Sequence, residues 1–280
     1  MTSRALFRAE WLLGLAGDEP VLGLETGSST ASLAIVAHGR VLGEFSRPVS
    51  SHGASLPEEV NELLSKARLN LSDLAGVAVG IGPGSFTGLR VGLSYAKGLA
   101  MALRCAIVGL PSLDSVALSV MQSRAAIVCQ VVCPIVDARK GEVYAALYRV
   151  VSNGLEKLSD DVVATLEWLS QRIPAEAVLA GDHSAGDAGL LISKEGRRVT
   201  VAGESELPPR GRFIAMMGAA AIACGDSDEV AGLQPLYVRS PEATFKPRGA
   251  GLQAAGSGTE DLWSREKSSL SSDMRFTTRN

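Results

Sequence analysis

From Val21 the chain runs apolar to an acid, Glu25, and Thr26, and Gly27 to Thr30 then has the composition of a turn. This pattern predicts a strand and a tight reversal. Ala31 to Ala37 reads as the returning strand, up to His38-Gly39-Arg40, and Val41 to Phe45 as a third. Between Leu56 and Leu69 the apolar residues Val60, Leu63, Leu64 and Ala67 recur at the spacing of one helical face. Glu58, Glu59 and Glu62 in its first turns suit the positive end of a helix. Ala75 to Ile81 is nearly all apolar, as a strand covered on both faces should be. It runs into Gly82-Pro83-Gly84-Ser85-Phe86-Thr87-Gly88-Leu89-Arg90 and a helix that reaches Leu103.

The second half opens in the same way. Val131 to Val136 is apolar and ends in Asp137, Ala138 to Gly141 is a turn, and Glu142 to Val150 alternates as one strand through Val143, Ala145 and Leu147. A helix is predicted over Val162 to Arg172, a strand over Ala177 to Ala180 ahead of Gly181-Asp182, and a helix over Phe213 to Cys224. Placing Glu25 over Asp137 superposes strand, acid, turn and strand, which marks an internal repeat of two α/β units. The organisation that follows is an extension over residues 1–20, a first half over 21–110, a connecting helix and second half over 111–247, and a tail over 248–280. The tail mixes Gly, Ser, Thr and both charges without periodicity and is expected to be disordered.

Composition narrows the chemistry. The 280 residues carry 27 Lys and Arg against 30 Asp and Glu, a formal net charge of -3, so no whole-surface basic field holds nucleic acid. Any RNA contact has to be local or shared with a partner. Aromatics are 5% and glycines number 30, which favours close backbone approach over a stacking platform. The longest apolar run, Ala125 to Val136, is interrupted by Gln130 and Pro134 and falls short of the ~20 residues of a membrane span, so a cytoplasmic protein is expected. Cys105, Cys129, Cys133 and Cys224 sit in apolar surroundings and are expected to be buried free thiols; Cys129 and Cys133 lack the further ligands of a metal site.

Two places could carry chemistry. Glu25 and Asp137 are the candidate nucleotide or metal acids, because turn amides can face a phosphate while a carboxylate organises the waters of a magnesium ion. The loop Gly82 to Arg90 lacks the Gly-Lys-Ser/Thr ending of a P-loop and has Thr87 where a dinucleotide fingerprint needs its third glycine. Pro83 also breaks the Gly-x-Ser-x-Gly frame around Ser85. What remains is a strand-to-helix turn whose small residues continue at Gly92, Ala96 and Ala100, packed closely either on its own sheet or on a partner. His52 is expected to cap a helix or face solvent, and Arg139 and Lys140 to be solvated bases of a turn.

Val21 to Thr26, Gly82 to Gly92, Val136 to Tyr144 and Gln234 to Arg239 resemble, in the same order, segments of the bacterial TsaB (YeaZ) family. The string Gly82-Pro83-Gly84-Ser85-Phe86-Thr87-Gly88-Leu89-Arg90 is highly specific to it, and the resemblance covers Val21 to Pro247. It implies an actin-like (ASKHA) fold of two ribonuclease-H-like halves with mixed central sheets flanked by helices. It also implies a non-catalytic scaffold that pairs with the synthase TsaD in making threonylcarbamoyladenosine beside the tRNA anticodon. TsaE would be a further partner, tRNA would be met through the complex, and a homodimer would form when TsaD is absent. ADP or ATP with magnesium would sit at the junction with TsaD, with no cofactor in the isolated chain. The helices after Pro57 and after Ser85 would present the pairing faces, with Leu63, Val91, Tyr95 and Leu99 as interface residues.

The paralogue TsaD carries a His-x-x-x-His metal pair whose positions fall on Pro111 and Ser115, and its later metal-binding aspartate falls near Arg210 to Arg212. The histidines His38, His52 and His183 are scattered, and Glu25 stands where the family usually has Asp. Two competing readings stay open at this point. One is a stand-alone ASKHA-type ATPase or small-molecule kinase working through Glu25 and Asp137. The other is the older peptidase label, which needs a metal or a nucleophile dyad.

Overall fold

In the computed structural model, which describes residues 6–8, 17–49, 56–123, 130–152, 154–194 and 196–238, the apolar runs of each half become the middle strands of a sheet. The chain opens with β1 (Leu6–Arg8), and the first half comprises β2 (Val21–Glu25), β3 (Thr30–Ala37), β4 (Arg40–Pro48), α1 (Leu56–Ala67), β5 (Gly76–Gly82), α2 (Phe86–Leu103) and β6 (Ala106–Pro111). Five of these strands form a sheet in the order β4-β3-β2-β5-β6, with β3 antiparallel to its neighbours and β5 and β6 parallel to β2. β2 is buried along its whole length and β5 nearly so, as uninterrupted apolar sequence requires.

A buried helix, α3 (Ser112–Ser123), leads into β7 (Val131–Arg139), β8 (Glu142–Ala145), β9 (Tyr148–Val151), β10 (Gly154–Lys157) and β11 (Val162–Thr165). Then follow α4 (Leu166–Ser170), β12 (Val178–Gly181), α5 (His183–Lys194), β13 (Thr200–Gly203) and α6 (Arg210–Ala223). The second sheet runs β1-β10-β9-β7-β12-β13, with β8 on β7 and β11 on β8. β7 is antiparallel to β8 and parallel to β12, just as β2 is antiparallel to β3 and parallel to β5. The unit β12-α5-β13 likewise repeats β5-α2-β6. Two ribonuclease-H-like halves are therefore present, in the arrangement of the actin-like fold.

Apolar side chains collect on both faces of the first sheet. One cluster fills the space beneath α1 and α2 with Leu22, Leu24, Leu33, Leu63, Val79 and Leu93. The other joins α3 and α6 to both halves through Leu113, Val116, Tyr148, Val150 and Phe213. α6 comes last among the described elements yet lies across β2, β3 and β5 of the first sheet. Its approach is close enough that a Cβ on Gly23 of β2 would meet the Ala215 backbone nitrogen at 2.4 Å. At its start the Gly211 amide donates to Ser32 Oγ on β3 at 2.7 Å.

A buried polar group ties α3 to the second sheet. The Tyr148 hydroxyl donates to Asp114 Oδ1, and the Lys157 ammonium lies 3.3 Å from the same oxygen and 2.6 Å from Asp161. Burial pushes the Asp114 carboxyl above its usual range although Lys157 opposes the shift. Burial, reinforced by Asp114 and Asp161, holds the Tyr148 phenol well above its ordinary value. Burial works against the Lys157 charge, but its two carboxylate neighbours outweigh it and raise that group. The Cys133 thiol is pushed up to about 12 by burial and is inert at neutral pH.

Several sequence expectations need correction. Val162 to Arg172 is not one helix: the β-branched residues Val162, Val163 and Thr165 lie in β11, and only then does α4 start, its first turn capped by Thr165 Oγ1 accepting from Trp168 N. Glu142 to Val150 is two strands, parted at Ala146-Leu147 where the Leu147 amide turns to Ser159 Oγ. Cys224 is exposed and Cys105 half-buried, leaving Cys133 as the buried thiol among the described cysteines. Within residues 1–20, Leu6–Arg8 form an antiparallel edge strand on β10. Cys129, His52 and the tail over 248–280 lie outside the described residues.

Gly23→Ala should lower stability by roughly 1–3 kcal/mol through overpacking against α6, read as a lower urea midpoint with an unchanged slope. The folded chain also holds protons on Tyr148 and Lys157 that the unfolded chain releases above their ordinary values of 10.0 and 10.5. The contribution of these two groups to stability should thus be complete below pH 10 and be lost as pH rises beyond it. Tyr148→Phe should make that alkaline fall shallower while costing about 1–3 kcal/mol at pH 7, because Asp114 loses a donor.

Candidate functional site

The β2–β3 turn, the loop before α2 and the β7–β8 turn converge on a cleft of about 510 Å3. Gly27 to Ser29 and Gly84 to Thr87 form one wall, and Asp137 to Arg139, Tyr144 and Asp182 form the other. Asp137 reaches the cleft: its Oδ1 accepts from the Arg139 amide at 2.8 Å and its own amide donates to Asp182 Oδ2 at 2.8 Å. Burial, with the Asp137 charge nearby, holds the Tyr144 phenol above its usual value.

Glu25 is placed differently. It is fully buried, its Oε1 accepts from the Gly27 amide at 2.7 Å, and it does not line the cleft. Its carboxylate lies over Gly80 of β5, where a Cβ would meet Oε2 at 2.2 Å. The structure thus brings Asp137 together with Asp182 and leaves Glu25 inside the sheet as a brace for its own turn. Asp182 was visible in the sequence only as the residue after a strand-ending glycine. Among the described residues no group of three or more His, Cys, Asp or Glu is placed to hold a metal ion. Ser115 is buried in α3 and donates its hydroxyl to the Ser112 carbonyl at 2.7 Å. His38 sits at the surface beside Asp18, 3.0 Å away.

The loop Gly82 to Arg90 is a locking device between α2 and the first turn. Ser85 caps α2 by accepting from the Gly88 amide, and its own amide donates to the Gly27 carbonyl at 2.6 Å. Thr26 Oγ1 donates to the Gly88 carbonyl at 2.8 Å. Cβ atoms on Gly88 and Gly92 would meet the oxygens of Thr26 at 2.1 Å, so the row of small residues serves close packing on the chain's own hairpin. Pro83 and Leu89 are buried with it. At the outer edge the Arg90 guanidinium stacks on Phe86 at 3.8 Å and its Nε donates to the Tyr237 hydroxyl at 3.3 Å. The strap that carries Tyr237 is held by the Leu236 amide, which donates to the Ile81 carbonyl at 2.7 Å.

Of the residues expected at an interface, the structure leaves Val91 on the surface and Tyr95 partly so, and buries Leu63 and Leu99. Val91 is 52% exposed, whereas Leu63 is 1% exposed, Leu99 is 9% exposed and Tyr95 is half-buried. The correction has a simple cause. Leu63 belongs to the single apolar stripe of α1, and that stripe is used up on the sheet. The outward face of α1 is polar, with Glu58, Asn61, Glu62, Ser65 and Lys66 and a Glu62–Lys66 pair at 2.7 Å. α2 is different: Leu89, Leu93, Ala96, Leu99 and Ala100 face inward, while Thr87, Val91, Ser94, Gly98 and Met101 form an exposed line. That line steps by four, three, four and three residues, the spacing of a helix-pairing seam. Met101, 68% exposed, was missed in the sequence although this spacing was there to find it.

Comparison with known proteins now bears on the site. The family model described as "TsaD: tRNA N6-adenosine threonylcarbamoyltransferase" matches residues 48–195, more than half of the chain. The "tRNA threonylcarbamoyladenosine biosynthesis protein TsaB" of Bacillus subtilis is 27% identical over 230 residues, spanning 81% of this chain and 96% of that protein. The protein of the same name from Escherichia coli is 27% identical over 236 residues, spanning 81% and 97%. A solved structure of YeaZ from Pseudomonas aeruginosa superposes with a TM-score of 0.64 at 25% identity, covering 78% of this chain and 99% of that one. Fold, motif loop and near-complete coverage of these relatives agree, and the chain belongs to the TsaB (YeaZ) family, within the wider group that the TsaD model describes.

Proposed function

We propose that this chain is a non-catalytic subunit that pairs with TsaD in forming threonylcarbamoyladenosine in tRNA. The names carried by its relatives support the pathway. The observation that carries the pairing is the outward face of α2. A solvated surface helix normally turns charges outward. Here the exposed line is Thr87, Val91, Ser94, Gly98 and Met101, without a charge, and its small residues let a second helix come close. Phe86, 44% exposed, extends the apolar surface at one end. The charges that flank the line are turned to other work, Arg90 on Phe86 and Tyr237 and Lys97 on the Ala231 carbonyl.

Pro111 and Ser115 at the positions of the TsaD histidine pair, and the absence of an acid from Arg210 to Arg212 where its later aspartate falls, support an accessory role for this chain. In this reading TsaE and tRNA are met through the complex, and a second copy of the chain covers α2 when TsaD is absent. ADP or ATP with magnesium belongs at the junction between the two subunits.

Val91→Asp should weaken association with TsaD at least tenfold in co-elution or titration and leave the fold unchanged, because Val91 contributes little to the chain's own core. Isothermal titration with ATP and magnesium should show binding to the TsaD pair and none in the micromolar range to the chain alone. Tight ATP binding by the isolated chain would count against this assignment of the nucleotide.

A further inference from the structure

The seam of α2 has two edges, and they differ. With Thr87, Val91, Ser94, Gly98 and Met101 as the line of contact, the residues beside it on one edge are Gly88, Tyr95 and Ala102, and on the other Arg90, Lys97 and Arg104. Each set repeats every seven residues, the step at which the flanking positions of a helix pair recur. One edge is thus uncharged, and the other is a row of three bases. α2 contains no acidic residue, and Arg104 is its left-handed C-cap, so the row runs to the end of the helix.

The charges of this row are oriented but not neutralised. The Arg90 guanidinium lies over the Phe86 ring at 3.8 Å, and its Nε donates to the Tyr237 hydroxyl at 3.3 Å. Lys97 Nζ donates to the Ala231 carbonyl at 3.4 Å. All of these contacts are made to uncharged groups. Among the described residues neither Nη of Arg90 has an acceptor, and none of the three bases forms an ion pair. Arg90 therefore keeps the part of its planar fork that fits a carboxylate, already held in place by the ring and the phenol, so little freedom is left to lose on binding.

We propose that this row selects the partner: the helix that pairs with α2 carries acidic residues at seven-residue spacing along the edge that faces Arg90, Lys97 and Arg104. The inference rests on the pairing proposed above, in which that helix belongs to TsaD. Charge complementarity separates such a helix from a second copy of this chain. Two copies of α2 packed antiparallel bring the basic row onto itself, and packed parallel they bring it onto Gly88, Tyr95 and Ala102. Neither arrangement supplies a carboxylate. The seam alone, uncharged and built largely of small residues, accepts either helix; the row makes the acidic one the better partner.

The test is the affinity of the full chain for TsaD, by titration, beside its self-association, by sedimentation. For the unaltered pair the dissociation constant should rise about tenfold or more between about 0.05 M and about 0.5 M NaCl, since salt screens exposed charges. Arg90→Gln, Lys97→Gln and Arg104→Gln together should weaken the TsaD pair about tenfold at the lower salt, the worth of a few exposed ion pairs, and flatten its salt dependence. The same variant should self-associate as tightly as the unaltered chain or more so, which a merely disruptive change would not do. A salt-insensitive affinity of the unaltered pair overturns the proposal whether or not the variant folds. So does a variant that pairs with TsaD undiminished, or one that loses both associations equally. Val91→Asp keeps the two levels apart: if it weakens the TsaD pair and the combined variant does not, the charge row falls and the pairing stands; if neither weakens it, both fall.

Discussion

The close contact between α2 and the β2–β3 turn sets much of the rest. Gly88 and Gly92 bring two turns of helix against Thr26 at a distance that no Cβ would permit, and Thr26 Oγ1 and the Ser85 amide fasten the two pieces together. Backbone packed on backbone fixes the rotation of the helix about its axis. That rotation turns Leu89, Leu93, Ala96 and Ala100 toward the sheet and leaves Val91 and Met101 outside. Glu25, at the end of the first strand, is fully buried with its Oε1 on the Gly27 amide, away from the cleft that Asp137 lines.

The second constraint is the return of α6. A helix made after the second half is complete lies on the sheet of the first, so the cluster around Leu113, Tyr148 and Phe213 draws residues from both halves. Burying apolar surface from both sides of the molecule in one cluster makes them a single cooperative unit. The Asp114–Tyr148–Lys157 group adds direction, since a buried carboxylate is tolerated only where its donors are in place. Arg210, which begins α6, and Pro209, which caps it, line a small cavity together with Ser32 of β3 and Ser119 of α3.

Much of this was legible in the sequence, for identifiable reasons. Uninterrupted apolar runs at Val21 and Gly76 gave the central strands, because a strand buried on both faces has no room for polar alternation. The repeat between the halves followed from the runs at Val21 and Val131, which end in Glu25 and Asp137. The short strands β10 and β13 were missed because Gly154–Lys157 and Thr200–Gly203 pair through their neighbours' hydrogen bonds and carry almost no pattern of their own. At the candidate interface, periodicity told which residues share a helical face but not which face the sheet consumes. Leu63 and Val91 look alike in sequence, and only the packing of α1 and α2 separates a core leucine from a surface valine. Asp182 escaped notice for a related reason: its place in the cleft depends on what the fold brings beside it.

In the account that emerges, the actin-like fold is retained, the acid of the first turn is buried, and a helix that carries the family motif offers an uncharged seam to a partner. In the function we propose, threonylcarbamoyl transfer is assigned to TsaD and this chain is a requirement for that activity. The most direct measurement is the yield of threonylcarbamoyladenosine on unmodified tRNA, counted by mass spectrometry of the digested nucleosides, for TsaD alone, this chain alone and the two together with the remaining pathway components present. The account predicts modified nucleoside only where both are present. Modification by this chain without TsaD, or an undiminished yield from TsaD without this chain, would contradict it.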